Sequence, residues 1–170
     1  RAVTNLPLDQ LTGIGADEGV VQLDKSIDVD APVEDVWTLW EDYEAFPTFM
    51  SHVRDVHQDG DGWSHWEVDG PLGTRVGWDA EVVEARPPEV LAWRSRPGTV
   101  FQHEGKMELQ PIGDRSRVHV RLSCNPAGGA LGHSLACLLG ADPKKQLDDD
   151  MLRMKTLLET GNRPRDAARP

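Results

Sequence analysis

Between His52 and Cys124 the chain alternates apolar and polar residues in short runs, each cut by a compact link bearing glycine or proline. The links are DGDG at 59–62, GPLG at 70–73, RPPE at 86–89, RPG at 96–98 and PIGD at 111–114. A parallel crossover needs about a dozen residues or more, so strands joined this closely must lie antiparallel. Side chains alternate across a strand, so the period of two also sorts residues by face. One face collects Trp66 and Val68; Val76, Trp78, Ala80 and Val82; Leu91 and Trp93; Phe101, His103, Met107 and Leu109; and Val118, Val120, Leu122 and Cys124. The opposite face carries most of the charge, as the solvated side of an antiparallel sheet should.

The segments on either side supply what covers the apolar face. VVQLDKSIDV at 20–29 alternates with Val21, Leu23, Ile27 and Val29 on one side, and reads as a first strand. DAPVEDVWTLWEDYEAFPTFM follows. Its Asp30 is a candidate cap, Pro32 stands near the first helical position, and Val33, Val36, Trp37 and Trp40 recur at helical spacing. Pro47 interrupts this pattern, so Tyr43 to Met50 is expected as a second short helix. After NPAGG the apolar ALGHSLACLLG turns helical, and ADPKKQLDDDMLRMKTLLETG forms a long terminal helix. Asp142 is its expected cap, Leu147, Met151, Met154 and Leu158 form its stripe, and Gly161 ends it. Residues 1–19 read as an extended leader and 162–170 as a frayed tail, leaving one domain over 20–161. Only the terminal helix is long enough to cover the sheet. A twisted antiparallel sheet curls around such a helix and leaves room for a cavity that the two short helices close at one end.

Composition narrows the function. With 170 residues the chain suits a single core, and its formal net charge of −11 disfavours nucleic acid and anionic lipid surfaces. No apolar run approaches the roughly 18 residues needed to span a bilayer. Cys124 and Cys137 form no CxxC pair, which fits two buried thiols in a reducing, cytoplasmic compartment. His65 and Glu67 share a strand face, but no HExxH, PCxxC or second histidine at ligand spacing accompanies them, so neither a metal nor a cofactor is expected. TGIGADEG lacks the spacing of a phosphate loop, and no GxSxG occurs. Arg94 is expected to pair across strands with Glu81, and Asp148, Asp149 and Asp150 read as a solvated helix face.

The chain resembles the START-like, helix-grip (SRPBCC) superfamily, and within it the bacterial polyketide cyclase/dehydrase and coenzyme Q-binding-like branch. The resemblance rests on SIDVDAPVEDVWTLWEDYEAFPTFMSHVRDV at 26–56, SHWEVDGPLG at 64–73, WDAEVVE at 78–84, LAWRS at 91–95 and the helix at 141–161. It implies an α+β fold: a curved seven-stranded antiparallel sheet wrapped around a long C-terminal helix, with two short helices after the first strand. It implies a lipophilic cavity between sheet and helix, and no single activity. In some relatives it also implies a membrane tether ahead of the position corresponding to Arg1.

Candidate cavity residues are Trp66, Trp78, Trp93, Phe101, His103 and Met107 on the sheet, Trp37, Trp40, Phe46, Phe49 and Met50 at the mouth, and Leu147, Met151 and Met154 on the terminal helix. For the tryptophans the competing reading is plain core, since indoles bury a large apolar area. His103 is the candidate catalyst, against the alternative of a hydrogen-bonded core histidine. Two functions follow: carriage or binding of a lipid, quinone or polyketide-like molecule, or an aromatase/cyclase in which His103, with Ser95 or Glu67, moves protons. Binding is favoured, because Tyr43 is the only tyrosine and His103 the only inward histidine. A regulatory domain with a collapsed cavity is a third reading, marked by a cavity volume below the roughly 300 Å³ at which ligand pockets begin.

Overall fold

The structure, a computed structural model, describes residues 21–69, 73–98, 101–126 and 143–161. The leader at 1–19, the apolar segment ALGHSLACLLG with Cys137, the cap Asp142 and the tail at 162–170 lie outside the described residues. Seven strands form one antiparallel sheet: β1 (Val21–Val29), β2 (Val53–Gly60), β3 (Trp63–Asp69), β4 (Arg75–Arg86), β5 (Val90–Ser95), β6 (Phe101–Ile112) and β7 (Arg115–Pro126). Their order is β1-β7-β6-β5-β4-β3-β2, so the short links make a continuous meander and β1 closes onto β7. Helix α1 spans Val33–Glu41, a 3-10 helix spans Tyr43–Thr48, and α2 spans Pro143–Thr160.

The short helices differ in detail from the sequence expectation. Pro32, not Asp30, occupies the N-cap of α1 and no side chain caps it; the Asp30 backbone N–H instead donates to Glu159 Oε2 at 2.7 Å. The segment after α1 tightens into a 3-10 helix with Pro47 inside it, because proline cannot donate into an α-helical ladder. At the far end of α2, Gly161 takes φ +73° and its N–H returns to the Leu157 carbonyl at 2.8 Å, the left-handed cap a glycine permits.

The inner face of the sheet, α1 and α2 share the main core, with Val36, Trp40, Phe49, Met107, Val118, Val120, Met151 and Met154 fully buried or nearly so. The Trp40 indole N–H points at Met154 sulfur at 3.0 Å, which joins the two helices. Polar contacts fix α2 along β1: Lys25 meets Asp148 at 2.9 Å, and Lys155 donates to the Asp28 carbonyl at 2.7 Å. A second, smaller cluster of Val68, Trp78, Ala80 and Cys124 lies apart on the same inner face. The separation of these two clusters positions the site.

Candidate functional site

A cavity of about 130 Å³ occupies the gap between the two clusters. The main core contributes Trp40, Phe46, Leu91 and Leu147 to its wall, and the smaller cluster contributes Val68, Trp78, Ala80 and Cys124. Val53 and Trp66, which also line it, pack against both clusters and bridge them.

An aromatic horseshoe surrounds it. Trp66 and Trp78 are directly opposed across β3 and β4, and their rings stack with centroids 6.3 Å apart and planes 7° from parallel. Trp66 meets the edge of Phe46 at 5.2 Å, Phe46 meets Trp40 edge-on at 5.3 Å, and Trp40 tilts against Trp93 at 6.0 Å. On the other arm the His103 ring meets Trp78 edge-on at 5.0 Å. Such offset and edge-to-face contacts favour aromatic pairs beyond their buried area, so the wall is both apolar and stiff. Strands β3 and β4 thus use Trp66 and Trp78 for cross-strand packing and for the cavity wall together.

The structure thus brings Trp40, Phe46, Met50, Trp66, Trp78, Trp93, His103 and Leu147 to the cavity. Trp37, Phe49, Met107, Met151 and Met154 are buried in the core and are not among the lining residues. Trp37 turns its indole N–H to Glu41 Oε2 at 2.9 Å, one turn along α1 and away from the wall. The side chain of Phe101 lies outside the described residues.

Polar groups are few and unevenly placed. Burial lowers the His103 pKa to about 4, so its imidazole is neutral at pH 7. Its backbone N–H donates to the buried Ser95 hydroxyl at 3.0 Å. The Ser64 hydroxyl accepts the Trp66 indole N–H at 2.8 Å. Burial pushes the Cys124 thiol up to about 11, leaving it protonated and poorly nucleophilic. Tyr43, on the rim, also has its pKa raised by burial.

Asp150 corrects the sequence reading. It was expected on a solvated face, yet it is 5% exposed and lines the cavity. Its Oδ1 accepts from Gln146 Nε2 at 2.8 Å, from the Ser51 backbone N–H at 3.3 Å and from Arg153 at 3.3 Å. Burial raises its pKa against those donors. The missed signal is helical spacing, because position 150 lies three residues beyond Leu147 and four before Met154, inside the apolar stripe.

Of the charged groups on the outer face, His65, Glu67, Arg75, Asp79, Arg94 and Arg96 are not among the lining residues, whereas Glu81 is. His65 Nδ1 lies 2.7 Å from Asp79 and its Nε2 4.0 Å from Glu67, in a chain of ion pairs that continues to Arg75 and Arg96. Arg94 pairs with Glu81 at 2.9 Å on the same side of the sheet.

With aromatic walls and little exposed polar surface, the cavity is suited to hold an apolar group out of water. A base with a pKa near 4 drives proton abstraction poorly at neutral pH. At about 130 Å³ the space is of the order of an engineered cavity that takes benzene and below the roughly 300 Å³ at which drug-sized pockets begin.

Residues 29–150 match the model of the family described as polyketide cyclase / dehydrase and lipid transport. An uncharacterized 17.2 kDa protein of Streptomyces lincolnensis is 30% identical over 139 residues, 81% of this chain and 89% of that one. A solved structure from Deinococcus radiodurans is 29% identical, with a TM-score of 0.68 over 84% of this chain and 99% of that one. An aromatase/cyclase of Streptomyces sp. R1128 is similar in fold at 16% identity, with a TM-score of 0.54 over 81% of this chain and 84% of that one.

Proposed function

Because the chain belongs to the polyketide cyclase / dehydrase and lipid transport family, a START-like helix-grip family, we propose that it binds a lipophilic small molecule in the cavity between sheet and α2. The observation that carries this reading is the aromatic horseshoe of Trp93, Trp40, Phe46, Trp66, Trp78 and His103 around a space bounded by residues of both apolar clusters. Apolar cavities bind apolar ligands because filling them restores contacts that the lining atoms lack. The volume supports a single ring, or a segment of an acyl or isoprenoid chain, seated between the indoles. Larger bodies need the rim to part, and Met50, half-buried and unbranched, is a lining side chain of a type that adapts to what it meets.

The volume also supports a second reading, a regulatory domain whose cavity has collapsed and carries no ligand. A cyclase or dehydrase role takes support from the family description and from the fold shared with an aromatase/cyclase. The depressed basicity of His103 weighs against it. No helix of the described residues is long and apolar enough to cross a membrane.

Native mass spectrometry of the protein purified from its own host, followed by solvent extraction, separates these readings. A stoichiometric apolar compound is the expected result. An empty protein that also binds no added apolar probe favours the collapsed cavity, and turnover of an extracted compound favours the enzyme.

A further inference from the structure

The polar end of the cavity is made by Asp150. Three donors converge on one of its carboxylate oxygens, Oδ1: Gln146 Nε2, the Ser51 backbone N–H and Arg153. Gln146 also donates to the Ser51 hydroxyl at 2.7 Å, so the exit of the 3-10 helix and the first turns of α2 hold the carboxyl group from two sides. Among the described residues no donor reaches Oδ2. An ionised carboxylate offers about four lone-pair sites, and a buried one gains from each hydrogen bond it makes. Asp150 is thus a fixed, partly satisfied acceptor in the wall of a mainly apolar cavity, whose other polar lining residues are His52, Ser64, Glu81, His103 and Gln146.

Resting on the reading of this cavity as a ligand site, we infer that Asp150 is a specificity-determining residue: its Oδ2 selects ligands that present a hydroxyl or N–H donor from a ring-sized apolar body, and discriminates against acceptor-only head groups. Ser51, Gln146 and Arg153 are positioning residues, which occupy Oδ1 and so direct Oδ2 to the ligand.

Three small aromatic probes of similar size test this by calorimetric titration: phenol, which donates; benzonitrile, which only accepts; and toluene, which does neither. The full chain is expected to bind phenol at least about ten-fold more tightly than toluene, and benzonitrile no more tightly than toluene, because a charge-assisted hydrogen bond is worth about one decade in affinity or more. In Asp150→Asn the donors that hold Oδ1 keep the amide oxygen in place and put the amide nitrogen, a donor, where Oδ2 was. The ratio of phenol to benzonitrile affinity should then fall by about ten-fold or more. The carboxyl carbon resonance of Asp150 in the unaltered protein should also move with phenol and stay with toluene, a readout that does not depend on the variant folding. Equal affinity for phenol and toluene, a ratio that survives the substitution, or an unmoved Asp150 resonance each overturns the role of Asp150 while leaving the cavity as a site for apolar ligands. Failure of all three probes to bind overturns the cavity reading itself, and this inference with it.

Discussion

The Trp93 indole lies flat across Gly105, its direct partner on the neighbouring strand. A Cβ at position 105 would stand 2.5 Å from Trp93 Cε2 and 2.8 Å from Leu122 Cδ2, nearer than such atoms approach. The absent side chain is what lets a large ring lie against the sheet and still form one arm of the cavity wall.

Gly105→Ala should therefore push the Trp93 ring off the sheet and into the cavity. Overpacking of this kind destabilises by about 1–3 kcal/mol. Denaturant unfolding followed by indole fluorescence reads both effects, as a lower midpoint and as a changed native emission.

Trp78 is 8% exposed, stacked on Trp66 and set against His103. Trp78→Ala should cost about 3–5 kcal/mol, as buried aromatic truncations do. Near-native stability in the same unfolding assay would contradict its place in the wall.

His103 makes the protein acid-sensitive. Its folded pKa of about 4 lies below the ordinary 6.5, so between those values the unfolded chain binds the proton that the folded one refuses. Its contribution is complete above pH 6.5 and is lost as the pH falls toward 4. The loss is about 3 kcal/mol at 1.36 kcal/mol per pKa unit. His103→Gln removes this component, and denaturant curves at pH 7 and pH 4 should differ less for the variant than for the parent.

Asp150 acts in the opposite sense. Its folded pKa is raised by burial, so the folded state favours the protonated acid, and the stability this gives is present at low pH and lost as the pH rises through the folded value. Asn mimics the neutral form. Asp150→Asn should gain in melting temperature relative to the parent on going from pH 4 to pH 7, with the Arg153 charge present in both proteins. A difference that is flat across this range would contradict the raised pKa.

Much of the fold was legible because it follows from spacing. Alternation placed Trp66, Trp78 and His103 on the inner face, and the short links fixed the antiparallel meander that the strand order displays. The stripe of α2 was legible from Leu147, Met151 and Met154, all buried as expected. Residue identity misled where position mattered more. Asp150 looked like one of three solvated acids, although its spacing from Leu147 and Met154 put it on the apolar stripe. Trp37 and Trp40 are one turn apart on one helix face, yet only Trp40 reaches the cavity; that difference depends on how α1 sits over the sheet, which a local pattern does not encode. Gly105, between His103 and Met107 on the inward face, left a gap whose meaning became visible only with Trp93 lying across it.

The most direct test of an apolar ligand cavity uses the chain's own four methionines, Met50, Met107, Met151 and Met154. Only Met50 lines the cavity, while Met107 and Met151 are fully buried in the core. With carbon-13 methionine methyl groups and added toluene, the Met50 resonance should shift saturably while those of Met107 and Met151 stay in place. Saturating shifts at Met107 and Met151 without one at Met50, or no saturable shift at any methionine, would contradict the account.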